Sequence, residues 1–153
     1  MSADLAVRPL ALGDCATLSA RLPALLAGDW SVAALAASPH QQRVLAARSD
    51  LPQLRGFAAY YQVLDECHLL DLAIWPEWQQ QGLGRYLLEA VLAQAHESGC
   101  TQCLLEVRRS NLAARTLYQR VGFNEVGNRR GYYPPREIGG GREDALLYSL
   151  ELR

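Results

Sequence analysis

The stretch Gln79-Gln-Gln-Gly-Leu-Gly84 joins an apolar run, Leu69-Leu-Asp-Leu-Ala-Ile74, to a periodic segment over residues 83–98. A glycine-bearing loop that leaves a strand and opens a helix is an anion site. The first N–H groups of a helix have no intrahelical partner, and the aligned peptide dipoles place partial positive charge there. Gly82 and Gly84 have no Cβ, so a diphosphate can approach the main chain closely. Arg85 falls in the first turn, where it opposes the dipole and is tolerated beside a phosphate. The chemistry predicted here is capture of a phosphate-bearing cofactor.

Absent residues narrow the cofactor. A Walker A loop needs lysine after its last glycine, and the chain has no lysine; Arg85-Tyr86 follow Gly84. A dinucleotide fingerprint needs a third glycine where Leu87 stands. The net charge of −1 argues against bulk binding of nucleic acid. No apolar run approaches the roughly 20 residues of a membrane span, and no secretory signal is visible at the start, so a cytoplasmic protein is expected. The 153 residues, half of them hydrophobic, suit one domain over 1–153. Cys100 and Cys103 have zinc-like spacing but no second ligand pair, and His40, His68 and His96 form no ligand pair, so no metal is expected. The cysteines read as small core residues of a reducing compartment.

These residues need elements to position them. Residues 5–10, 43–47, 56–63, 68–74, 103–107, 123–126 and 145–150 read as strands. Asp14 can cap a helix over 15–26, and Ser31 a shorter one over 32–37. Leu87, Leu88, Val91, Leu92 and Ala95 share one face of a helix over 83–98, closed by Gly99. A second helix over 112–121 starts at Asn111 and stops at Gly122. Asp65-Glu66 marks a turn and Gly139-Gly140-Gly141 a mobile loop. The alternation of strand and helix implies a mixed sheet covered by helices, with strands 68–74 and 103–107 parallel and adjacent.

The loop Gln-x-x-Gly-x-Gly resembles the coenzyme A pyrophosphate loop of the GNAT (Gcn5-related) N-acetyltransferases. Leu104-Leu-Glu-Val-Arg108, followed by Asn111-Leu-Ala-Ala-Arg-Thr-Leu-Tyr-Gln-Arg-Val-Gly-Phe123, is similar to the second half of that domain. Arg129-Arg-Gly-Tyr-Tyr-Pro134 and Gly141-Arg-Glu-Asp-Ala145 resemble the C-terminal signature of the RimI branch, whose members acetylate the N-terminal alanine of a small-subunit ribosomal protein. The likeness covers about residues 54–150. Asp29-Trp30-Ser31 echoes a Pro-Trp-Ser segment of the family with Asp29 in the proline's place. The resemblance implies the α/β GNAT fold: a mixed, mostly antiparallel sheet of six to seven strands, helices on both faces, and a parallel, splayed strand pair at the cofactor cleft. It also implies acetyl-CoA as cosubstrate, a protein N-terminus as partner, and a monomer or weak dimer.

Acetyl transfer from a thioester to an amine needs a base for the amine, donors for the developing oxyanion and a proton for the departing thiolate. Glu106 interrupts an apolar strand and can be the base, the role its family counterpart has; strand alternation equally allows an outward-facing glutamate. Tyr118 can be the acid that protonates the sulfur, as the resemblance implies, or a packed tyrosine with a wet hydroxyl. The resemblance assigns Gln79, Gln80, Gln81, Gly82, Leu83, Gly84 and Arg85 to the pyrophosphate. It assigns Leu72, Ala73 and Ile74 to the pantetheine arm, with the Ile74 N–H facing the acetyl carbonyl. Asn111 caps its helix and, in the family, also contacts the pantetheine. Tyr132 and Tyr133 either line a peptide groove or pack near the last hairpin, and His68 is a second candidate base. A lysine side chain, a polyamine, a small amine, or a non-catalytic coenzyme A-binding role stay open as alternatives.

Overall fold

The computed structural model describes residues 5–9, 14, 41–47 (main chain only) and 54–153. The elements are β1 (Leu5–Pro9), β2 (Gln41–Ala47), β3 (Leu54–Val63), β4 (Glu66–Ile74), a 3-10 turn (Pro76–Trp78), α1 (Leu83–Glu97), β5 (Gln102–Arg108), α2 (Leu112–Val121), β6 (Asn124–Tyr133) and β7 (Glu143–Glu151). The helices expected over 15–26 and 32–37, the Asp29-Trp30-Ser31 echo, Cys15 and His40 lie outside the described residues. Asp14 is described, and its carboxylate takes both Arg8 guanidinium contacts, at 2.7 and 2.8 Å.

One seven-stranded sheet runs in the order β1-β2-β3-β4-β5-β7-β6. Its neighbours are antiparallel except β4 and β5, which the α1 crossover makes parallel. That is the mixed, mostly antiparallel sheet that the resemblance implies. The β4–β5 ladder is short, from Glu66↔Gln102 to Leu69↔Leu105. On the other edge of β4 the register jumps from Tyr60↔Leu69 to Ala59↔Asp71, which leaves Leu70 as the extra residue of a β-bulge. A bulge bends its strand and increases the twist. β4 therefore turns away from β5 directly after the last shared pair, and residues 71–74 keep β3 as their ladder partner.

Gly56 sits opposite Ile74 in that ladder. A Cβ there would lie 2.5 Å from Ile74 Cδ1 and 2.9 Å from the Ala73 carbonyl oxygen. Only glycine lets β3 press this closely on the diverging part of β4.

α1 buries the face that its periodicity marked: Leu83, Leu87, Leu88, Val91, Leu92 and Ala95. Fully burying such a leucine contributes roughly 1.5–3 kcal/mol, so the core holds the helix and its N-terminus in place. The helix ends in a Schellman motif. Gly99, at φ 96, donates to His96 O, and the Cys100 N–H reaches Ala95 O at 3.0 Å. α2 starts where Asn111 Oδ1 accepts the Ala114 N–H at 3.2 Å and stops at Gly122, φ 118. The turn before β4 occupies Leu64 and Asp65, one residue earlier than expected, with Leu64 itself at φ 54.

Candidate active site

A cavity of about 410 Å³ opens between the diverging part of β4, the N-terminus of α1 and α2. Leu72, Ala73, Ile74, Gln79, Gln80, Gly82, Leu83, Gly84, Asn111 and Tyr118 all line it. The loop adopts a conformation that explains its composition: Gln80 has φ 62, and Gly82, the N-cap, has φ 77. A Cβ built on Gly82 meets nothing within 4 Å, so the space in front of the helix N-terminus is open for an anion. Gln79 Nε2 donates to Ile74 O at 2.9 Å and ties the loop back to the end of β4. The Trp75 N–H bonds Arg55 O on β3. Because successive amides of a strand alternate in direction, the Ile74 N–H points to the opposite edge, where β5 has parted.

Two residues assigned to the pyrophosphate do not line this cavity. Gln81 is exposed on the loop. Arg85 pairs with Glu89, one turn along α1, at 2.8 Å. Trp78, Ala113, Ala114 and Leu117 do line it and were not picked from the sequence. The small Ala113 and Ala114 on the first turn of α2 were the available signal.

Glu106 lies elsewhere. It lines a second cavity, about 490 Å³, with Tyr61, His68, Leu70, Leu104, Arg129, Tyr132, Tyr133 and Leu147 among its walls. Both tyrosines of the Arg-Arg-Gly-Tyr-Tyr segment thus face a groove, and their rings meet edge to face at 5.0 Å. Arg129 reaches Glu106 at 3.5 Å and lies 5.2 Å from the Tyr132 ring centre. The two cavities flank the place where β4 and β5 separate: Leu69 and Leu70 belong to one, Leu72 to the other. Tyr118 and Glu106 therefore stand on the two sides of one gap.

The electrostatics suit those positions. Burial holds the Tyr118 phenol well above its ordinary range, with the negative charge of Asp71 adding to the effect. Tyr133 is pushed up to about 12, by burial first and by Glu106 next. Both phenols stay protonated at any physiological pH. Beneath the groove, Ser110 and then Arg108 hold the Glu143 carboxyl down to about 2. Arg108 donates to Glu143 Oε2 at 3.1 Å and to Pro134 O at 3.3 Å, and its guanidinium carbon lies 4.5 Å from the Tyr133 ring centre. Arg115 donates to Tyr148 Oη at 3.3 Å and to Arg109 O at 2.8 Å. These two arginines serve the hairpin and the core. Among the described residues no group of three His, Cys, Asp or Glu side chains forms a metal site, and Cys67, Cys100 and Cys103 are free and buried.

The sequence profile of the Acetyltransferase (GNAT) family matches residues 17–123. The chain belongs to the GNAT acetyltransferases. The [ribosomal protein bS18]-alanine N-acetyltransferase of Escherichia coli (strain K12) is 38% identical to it over 123 residues, 80% of this chain and 81% of that protein. The crystal structure of the ribosomal-protein-S18-alanine N-acetyltransferase from Escherichia coli matches with a TM-score of 0.82 at 34% identity, covering 97% of this chain and 94% of that one. Arabidopsis thaliana NAA60 in complex with acetyl-CoA shares the fold, with a TM-score of 0.85 at 18% identity over 97% and 98% of the two chains. The GNAT assignment accounts for the splayed strand pair and for the glycine loop at the head of α1. It makes this chain an acyltransferase of the RimI-like kind.

Proposed function

We propose that this GNAT enzyme moves the acetyl group of acetyl-CoA to the α-amine of an N-terminal alanine, with ribosomal protein bS18 as acceptor. The observation that carries the reading is the pair of cavities lined by successive parts of β4, one with the Tyr118 phenol and the other with the Glu106 side chain on its wall. The likeness to the bS18-alanine acetyltransferase supports the choice of acceptor.

Acetyl-CoA supplies the activated thioester carbonyl. Gln79, Gln80, Gln81, Gly82, Leu83, Gly84 and Arg85 would hold its pyrophosphate end. Arg85 would have to leave Glu89 to contribute, an exchange that costs little because exposed i,i+4 pairs are worth about 0.3–0.5 kcal/mol. Leu72, Ala73, Ile74 and Asn111 would hold the arm, with the Ile74 N–H aimed where the carbonyl oxygen gathers charge. Glu106 would take a proton from the acceptor ammonium, and Tyr118 would give one to the departing sulfur. The aromatic walls at Tyr132 and Tyr133 suit a peptide entering amine-first. A ribosomal acceptor would put the reaction in the cytoplasm.

Direct attack requires both substrates to be bound together. Initial rates with acetyl-CoA and an alanine-first bS18 peptide varied in turn are expected to give intersecting double-reciprocal lines. Parallel lines would mean an acetylated enzyme intermediate and would contradict direct attack. The buried state of the described cysteines agrees with the first outcome.

A further inference from the structure

The reaction has a proton to dispose of. An ammonium and a thioester give an amide, a thiol and one free proton. Of the three ammonium protons, one stays on the amide nitrogen, one replaces the proton that Tyr118 gives the sulfur, and the third, taken by Glu106, leaves to solvent by way of the groove. The groove holds a second titratable device that the transfer step itself does not use.

His68 lines the groove with Glu106. It pairs with Leu104 across the parallel β4–β5 ladder, and Glu106, two residues beyond Leu104, projects from the same face of β5. The imidazole lies flat on Tyr61, with ring centres 4.7 Å apart and planes 2° from parallel. Its Nε2 is 3.1 Å from Glu66 Oε2, and the other carboxylate oxygen, Oε1, is fixed by Gln102 Nε2 at 2.9 Å. With Nε2–H donating to Glu66, Nδ1 of the neutral ring is an acceptor. The imidazole side chain is 28% exposed, so it touches both groove and water.

We propose that His68 is the proton exit of the acceptor groove, a relay residue acting through Glu106. This rests on the amine-acetylation reading above. The acceptor N–H bond breaks and a carboxyl O–H forms at Glu106. That proton passes, through groove water, to Nδ1 of His68, which becomes an imidazolium hydrogen-bonded to Glu66. The imidazolium then releases the proton to solvent and returns to the neutral ring. No electrons change hands. Among the described residues the charged or titratable groups around this path are Tyr61 on β3, Glu66 on β4, Glu106 on β5, Arg129, Tyr132 and Tyr133 on β6, and Tyr148 on β7. An imidazole offers one donor and one acceptor nitrogen, which suits a group that must both accept and release a proton each turnover.

The test is the pH profile of kcat, from about pH 6 to 9, for wild type, His68→Gln and Glu66→Gln on the best amine substrate found. His68→Gln should lower kcat roughly tenfold near pH 7, a share of the general acid–base effect, with the KM for acetyl-CoA unchanged. The deficit should shrink as pH rises, when hydroxide can take the proton instead, and added imidazole should restore the rate. Glu66→Gln, which removes the charge and leaves one acceptor oxygen where His68 and Gln102 use two, should show a partial version. A His68→Gln deficit that is equal at every pH and deaf to imidazole would mean a structural role and would overturn the proposal. So would a variant as fast as wild type throughout. If wild type acetylates lysine or a small amine instead of a peptide α-amine, the acceptor reading fails, yet the same comparison on that amine still decides the relay. A wild type that acetylates no amine overturns both.

Discussion

Glu106→Gln is expected to lose about 10²- to 10⁴-fold in turnover, the range for removing a general base, while acetyl-CoA binding stays at the wild-type level. The split follows from where the residue stands. Glu106 lines the acceptor groove and not the cofactor cavity, so its loss leaves the loop and the arm-binding part of β4 untouched. Gln preserves the size of the side chain, whose carboxylate is 30% exposed and 3.5 Å from Arg129. The groove should therefore keep its shape while losing its proton acceptor. Steady-state rates measured with calorimetric titration of acetyl-CoA separate the two quantities. A variant as active as wild type between about pH 7 and 9 would remove Glu106 from the base role. A weakened cofactor affinity would show that the two cavities are not independent.

Tyr118→Phe should cost about 10²-fold in the chemical step. The ring is buried, 8% exposed, and packs at a tilt against Phe123 and Tyr148 with centres 5.7 and 6.3 Å away. Phenylalanine keeps that packing, and the stop of α2 depends on the main-chain oxygen of residue 118, which accepts from Gly122 and Phe123. The fold should thus survive and the proton donor be lost. Because burial and the charge of Asp71 raise the phenol's pKa, the acid form persists well above neutrality. Any fall in wild-type activity on the alkaline side must then come from another group. Single-turnover rates, which exclude product release, are the measurement, and equal rates for variant and wild type would reject the acid role.

Much of this arrangement was legible because short-range rules wrote it. Asn111 and Gly122 bracket α2 as a cap and a left-handed stop, and the five apolar positions expected on α1 are all buried. The strand–helix–strand order required β4 and β5 to be parallel neighbours, and they are. What escaped depended on tertiary geometry. The bulge at Leu70 is hidden inside a run of apolar residues, where a skipped register leaves no mark on composition. Yet it is this bulge that opens the gap between the cavities. β6 runs on to Tyr133, well past the expected end at residue 126, because an edge strand of exposed Asn and Arg residues interspersed with glycines shows no apolar alternation. Arg85 was assigned to the pyrophosphate by position; its i,i+4 partner Glu89 was equally visible in the sequence, and the two pair at 2.8 Å. That Glu106 and Tyr118 line two different cavities could be seen only once the strands were placed.

The most direct test of the account is mass spectrometry that locates the acetyl group after incubation with acetyl-CoA and two peptide sets. One set carries a free N-terminal alanine followed by the bS18 sequence. The other is blocked at the N-terminus and carries internal lysine. The account predicts acetylation at the free α-amine and none in the blocked set. Acetyl on the internal lysines, with the free α-amines untouched, would contradict it.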